Sequence, residues 1–205
     1  MLRSIDPATG QELATFPEAD EAAVEAAIAK AWEVRHGWRD AGIDHRSKLL
    51  RAVAGVLRAD KARYASILTA EMGKPIVEAE GEVEKCAWTA GWIADNAARL
   101  LADEPIDSTA SKSYVRFQPL GVVLAVMPWN FPFWQAFRAG LPALAAGNVM
   151  LLKHASNVPQ AAVAIEEVFR EAGLPDGVFQ TLLVGSGMVE RIIKAEIERV
   201  SRGRG

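Results

Sequence analysis

Val122-Val-Leu-Ala-Val-Met127 opens the stretch whose reading decides the fold. An unbroken apolar run of this length matches a strand buried on both faces, where no polar alternation is needed. A helical stretch from about Phe133 to Ala146 follows and stops at Gly147-Asn148, and Val149–Leu152 is a second apolar run. Pro159 to Ala172 reads as a second helix closed by Gly173, Val178–Val184 as a third strand, and Met188–Lys194 as the start of a further helix. Strands and helices alternating at these lengths imply right-handed crossovers and a doubly wound parallel α/β sheet. Ligands bind such sheets beyond the carboxyl ends of the strands. Three loops hold that position: Pro128-Trp-Asn-Phe-Pro132, Lys153-His-Ala-Ser-Asn157 and Gly185-Ser-Gly187.

Upstream the texture is helical. Residues 3–18 read as extended chain around a turn made by Asp6-Pro7 and Thr9-Gly10. Asp20 suits the cap of a helix bearing Val24, Ala27, Ile28 and Ala31, and Asp44 that of a second bearing Leu49, Leu50, Val53, Val56 and Leu57. Asp60 opens a third with Tyr64, Ile67 and Leu68, and Gly73 suits its stop. Pro75 fits the first position of a long helix towards Leu101, with Trp88 and Trp92 on one face. Asp103 to Ser108 is a polar break. Ser113–Gln118 then alternates, Val115 and Phe117 against Tyr114 and Arg116, as a strand exposed on one face does. The expected divisions are 1–107, mainly helical; 108–120, the alternating segment; and 121–205, the α/β part. Ser201-Arg-Gly-Arg-Gly205 reads as a tail.

Composition excludes several classes. Half of the 205 residues are apolar and 24% are charged, a soluble globular balance. A net charge of -3 offers no basic face for nucleic acid. The apolar stretches break well before the roughly 18 residues a membrane helix needs, and the start lacks a secretory apolar core. The one cysteine, Cys86, allows no intramolecular disulfide and no multi-cysteine metal site, which fits a reducing, cytoplasmic location. Cys86 falls inside the long helix, where a small buried hydrophobe is the natural reading. His36, His45 and His154 have no metal-ligand spacing and read as surface or capping residues.

The strand-end loops carry the chemistry. Asn130, stiffened between Pro128 and Pro132, can donate to a developing oxyanion without adding charge, or can satisfy its own turn. Trp129 by itself reads as packing. Lys153, ending an apolar strand, can reach a nucleotide hydroxyl or phosphate, or snorkel to solvent. Ser156 or Asn157 can cap the next helix, and a hydroxyl there can also meet a ligand phosphate. Gly185-Ser-Gly187 is a weak glycine loop, and no Gly-x-Gly-x-x-Gly dinucleotide fingerprint occurs.

At these residues a resemblance emerges. Gln118-Pro-Leu-Gly-Val-Val-Leu-Ala-Val-Met-Pro-Trp-Asn-Phe-Pro132 closely resembles the first nucleotide-domain strand and loop of the aldehyde dehydrogenase family. Pro142-Ala-Leu-Ala-Ala-Gly-Asn148, Leu152-Lys-His-Ala-Ser156, Gly173-Leu-Pro-Asp-Gly-Val-Phe179, Ile5-Asp-Pro-Ala-Thr-Gly10 and Glu71-Met-Gly-Lys-Pro75 match it in order. The likeness runs from about residue 3 to about 194, and the wording of both ligand loops is similar to the family's NADP-linked succinate-semialdehyde group. The resemblance implies the N-terminal part of that fold, a helical half plus an incomplete Rossmann-like sheet, with residues 108–120 matching part of an oligomerisation hairpin. It implies Asn130 as the oxyanion asparagine. It implies a cofactor site of Met127, Trp129, Asn130, Lys153, His154, Ala155 and Ser156. Where many NAD-preferring members carry a glutamate, Ser156 removes a charge that would repel a 2′-phosphate, so NADP is expected, with NAD possible.

The implied activity is NAD(P)-dependent oxidation of an aldehyde, succinate semialdehyde above all, through a cysteine thiohemiacetal in a homo-oligomer. The family's Thr-Gly-Ser loop, general-base glutamate motif and catalytic cysteine motif do not occur here, as in a truncated or frame-shifted product. The 205-residue chain is therefore expected to be inactive alone. The alternative is a non-catalytic fragment that binds cofactor or pairs with full-length subunits.

Overall fold

The structure, a computed structural model, describes residues 1–194, so the tail at 201–205 lies outside the described residues. Strands β1 (Leu2–Ile5) and β2 (Glu12–Phe16) form an antiparallel hairpin. Its turn is closed as the sequence suggests: Asp6 Oδ1 accepts the Ala8 N–H at 2.7 Å and the Asp6 carbonyl accepts that of Gly10 at 2.8 Å.

Four helices follow. In α1 (Glu21–Asp40) the Asp20 carboxylate accepts the Ala23 N–H at 2.8 Å, the expected cap. Helix α2 (Ile43–Ala59) is capped at Gly42 rather than Asp44, which sits in the first turn and meets the helix dipole there. Asp60 does precede α3 (Lys61–Met72), but its carboxylate takes the Arg63 Nε at 3.2 Å instead of the backbone. Gly73 ends α3 in the left-handed conformation, φ 85°. A Cβ there would meet Pro7 Cγ at 2.7 Å, so the hairpin turn packs on this helix end only because the residue is glycine. Pro75 is the residue before α4 (Ile76–Leu100) rather than its first.

The alternating segment yields only a short ribbon. Strand β4 (Tyr114–Val115) pairs antiparallel with β3 (Glu104–Pro105), which lies in the stretch read as a polar break. Alternation marks a strand with two unlike faces but carries no information about where its partner lies.

The parallel sheet is β5 (Val122–Met127), β6 (Val149–His154) and β7 (Phe179–Thr181), in the order β5-β6-β7. The connections are α5 (Pro132–Ala145) and α6 (Pro159–Glu171). Both crossovers step the same way, so right-handedness puts both helices on one face. Helices α2, α3 and α4 pack on their outer side, which is why α5 buries Phe133, Phe137, Leu141 and Leu144. An aromatic column Tyr64–Phe133–Phe137–Phe169–Phe179, with centroids 4.2–5.7 Å apart, runs from α3 through α5 and α6 to β7. Arg46, buried on α2, donates to Ala145 O at 2.9 Å and Arg39 O at 2.7 Å, satisfying carbonyls at the ends of α5 and α1.

Two expectations are corrected. Of β5 only Ala125 is fully buried and Val126 is 51% exposed, whereas β6 is buried along its whole length. An apolar run does not reveal whether a strand is central, and β5 lies at the edge of the described sheet. β7 is shorter than read: Leu182 N–H still reaches Leu152 O at 2.8 Å, but Leu183 O turns away to accept the Ala19 N–H at 2.9 Å. Among the described residues no helix is long and apolar enough to cross a membrane.

Candidate functional site

The register places two of the strand-end loops side by side. Val126 pairs with Lys153 and Met127 with His154, so the chain leaves β5 at Pro128 and β6 at Ala155 at the same carboxyl end of the sheet. Met127 is half-buried, while Trp129, Asn130 and Phe131 are exposed. Among the described residues Asn130 makes no side-chain hydrogen bond, so its amide is not consumed by its own turn.

Lys153 does not snorkel. Its residue is 5% exposed, and among the described residues no carboxylate or carbonyl partners the ammonium. Burial pushes its pKa down. A desolvated, unpaired cation at the end of the central strand is costly unless something polar comes to it.

His154 is buried rather than superficial. The Ala155 N–H donates to Nδ1 at 2.8 Å, so the proton sits on Nε2, which donates to Pro132 O at 2.9 Å. The neutral ring thus stitches the β6 loop to the start of α5. Alternation along the strand sends Lys153 to the other face. Burial, with the Lys153 charge beside it, holds the His154 pKa below the ordinary value. An unfolded histidine takes a proton near pH 6.5 while folded His154 stays neutral, so stability is lost as pH falls from about 6.5 through the depressed folded value. His154→Gln keeps a donor towards Pro132. Between about pH 7.5 and 5.5 its unfolding temperature is expected to fall less than that of the wild type. Equal losses would remove His154 as the source.

Neither Ser156 nor Asn157 caps α6, whose cap position is Val158. The two free amides of its first turn, Gln160 N–H and Ala161 N–H, are taken by Glu71 Oε1 and Oε2, each at 2.8 Å. Helix α5 likewise has Phe131 at its cap position and begins with Pro132, and its Trp134 N–H goes to Glu82 Oε1 at 2.9 Å. Sequence reasoning missed both carboxylates. The signal was present: helices opening Phe-Pro and Val-Pro have no polar cap of their own, so their orphan amides need acceptors from elsewhere. Protein anions at these positions also disfavour a ligand phosphate on the same amides.

A cleft of about 350 Å³ lies between the loops and the N-terminal hairpin, walled by Trp129, Asn157, Glu71, Met72, Arg3, Ile5 and Pro7. Asn130, Lys153 and Ser156 are outside that wall, Ser156 being half-buried. Gly185-Ser-Gly187 forms the start of a single 3-10 turn, Ser186–Met188. Cys86 is fully buried in α4 with its thiol pKa pushed well up by burial. His36 and His45 are exposed, and among the described residues no group of acidic, histidine or cysteine side chains could hold a metal.

The pattern of the aldehyde dehydrogenase family matches residues 1–201. The chain belongs to that family. The match runs past residue 194, where the likeness was expected to fade. The NADP(+)-linked succinate-semialdehyde dehydrogenase 1 of Mycobacterium tuberculosis is 50% identical over 196 residues, covering 94% of this chain and 43% of its own length. A probable NADP(+)-linked succinate-semialdehyde dehydrogenase of Synechocystis is 48% identical over 192 residues, 94% of this chain and 42% of its own. A crystal structure of succinic semialdehyde dehydrogenase from Streptococcus pyogenes, in complex with NADP+ as the cofactor, matches with a TM-score of 0.90 at 36% identity. It covers 94% of this chain and 43% of that one. This aldehyde dehydrogenase chain therefore spans less than half the length of the relatives it matches.

Proposed function

We propose that this chain is the part of an NADP-linked aldehyde dehydrogenase that holds the adenosine end of the nucleotide and supplies the oxyanion donor, with succinate semialdehyde as the substrate of the complete cytoplasmic enzyme. The carrying observation is Lys153, a buried ammonium without a partner among the described residues, at the carboxyl end of the central strand. Its donors suit the hydroxyls of an adenosine ribose. The uncharged Ser156 hydroxyl suits a 2′-phosphate that a carboxylate would repel. Met127 and Trp129 wall the channel, and His154 and Ala155 fix the loop through their mutual hydrogen bond. When bound, NADP supplies the hydride acceptor. Asn130 donates its amide to the aldehyde oxygen as negative charge grows there. Names of the relatives, succinate-semialdehyde dehydrogenases using NADP(+), support the substrate and cofactor.

Calorimetric titration of the 205-residue chain with NADP+ and NAD+ tests the reading. NADP+ is expected to bind more tightly, and Lys153→Met to weaken it by about tenfold or more, the worth of one charge-assisted hydrogen bond. The same substitution removes a buried unpaired charge, so its unfolding temperature should not fall. Equal binding of both nucleotides, or of NADP+ by both proteins, would overturn the proposal.

A second reading concerns residues 108–120 with the β3–β4 ribbon, as an element that pairs with another subunit of a homo-oligomer. Tyr114, Val115, Phe117 and Leu120 are exposed there, Leu120 at 88%, and β4 has a free edge among the described residues.

A further inference from the structure

We propose that Glu71, Lys74 and Glu82 are positioning residues: one brace at the α3–α4 junction sets the Asn130 loop and the Ser156 loop relative to each other. Both loops run into helices that cannot cap themselves. Phe131 and Val158 hold the cap positions, and Pro132 and Pro159 begin the helices without an amide hydrogen. Of the remaining first-turn donors, Gln160 and Ala161 of α6 find Glu71 at the end of α3, and Trp134 of α5 finds Glu82 in α4. A carboxylate at a helix N-terminus is favoured by the dipole, and its hydrogen bonds to amides are charge-assisted.

The two caps spring from one junction. Glu82 is 5% exposed, and its second oxygen pairs with Lys74 Nζ, itself on a residue 6% exposed. Lys74 Nζ also sits 4.5 Å from the centre of the Phe131 ring, next to Asn130. Lys74 is three residues from Glu71 across the left-handed Gly73, whose bare Cα Pro7 packs against. Glu71 lies in the wall of the cleft between Trp129 of one loop and Asn157 of the other. His154 adds a direct tie from the β6 loop to Pro132. A local serine or aspartate cap would satisfy the same amides but would leave each loop free to shift with its own helix. Caps borrowed from one junction give both loops a common reference. The bearing on ligand binding rests on the proposed function above; the mechanical claim does not.

The test is amide hydrogen exchange by NMR on the ligand-free 205-residue chain, residue by residue, so it needs no nucleotide to bind. Glu82→Gln leaves Lys74 buried without a counter-charge and is expected to speed exchange at Trp134 by about tenfold or more, with Gln160 and Ala161 unchanged. Glu71→Gln should do the reverse, because an amide offers only one acceptor where two N–H groups point. The double variant Lys74→Met/Glu82→Gln removes the stranded charge while keeping an acceptor for Trp134, and protection there is expected to return. Rates that rise uniformly across β5, β6 and β7 in every variant would overturn the brace. So would no change at Trp134, or no recovery in the double variant. Should Glu82→Gln not fold, Lys74→Arg carries the same test: a faster Trp134 amide with Gln160 and Ala161 unchanged supports the brace, and an unchanged one overturns it.

Discussion

Ser156→Glu is expected to reverse the nucleotide preference of the chain, from NADP+ towards NAD+. The serine follows Ala155 in the loop that leaves the central strand, two residues before the cap position of α6. It is half-buried, so a carboxylate there would be partly shielded from water and its field would be felt. Beside a 2′-phosphate that charge is repulsive, and it also deletes a hydroxyl donor. Loss of a hydrogen bond to a charged group costs about 1.5–3 kcal/mol, roughly ten- to a hundredfold in Kd. Towards NAD+ the same carboxylate can accept from the ribose hydroxyls, so the two affinities move in opposite directions. Glu71 bonds the first-turn amides of α6, so no helix N-terminus is left there to offset the repulsion. Competitive calorimetry of both nucleotides on both proteins gives the ratio. A ratio that Ser156→Glu leaves unchanged would remove the reason for assigning NADP.

A purified polypeptide of these 205 residues is expected to oxidise no aldehyde with either nucleotide. The chemistry needs a thiolate within about 3 Å of the substrate carbon, next to the oxyanion donor. The chain has one cysteine. Cys86 is wholly buried in α4, in the helical layer outside α5, and burial holds its thiol protonated. Asn130 is exposed at the sheet edge. Bringing the thiol to that amide would require α4 to leave α2, α3 and α5. Following nicotinamide absorbance with succinate semialdehyde, wild type and Cys86→Ala should both stay at the background rate. Turnover in the wild type that Cys86→Ala abolishes would mean that the single thiol has been misplaced.

Several local signals were legible in the sequence, although the caps expected from Asp44 and from Ser156 or Asn157 did not form. The Asp20 cap, the Asp6 turn, the Gly73 stop and both crossover helices follow from side chains a few residues apart, and their elements formed where expected. The motif residues that identify the family are likewise readable in one dimension. Lys153 and Asn130 could be named from position; burial removes the snorkelling alternative for Lys153, and among the described residues no turn bond uses the Asn130 amide.

Tertiary structure alone decided the rest, because it depends on what comes near from far along the chain. The edge place of β5 and the central place of β6 cannot be read from two equally apolar runs, since burial of a strand depends on its neighbours. His154 became a buried stitch because Pro132, 22 residues away, offers a carbonyl. Glu71 and Glu82 had no role of their own in the sequence reading and prove to be caps, reaching helices 89 and 52 residues downstream. Orphan amides must be satisfied, which the sequence dictates; which acceptor satisfies them is set by packing.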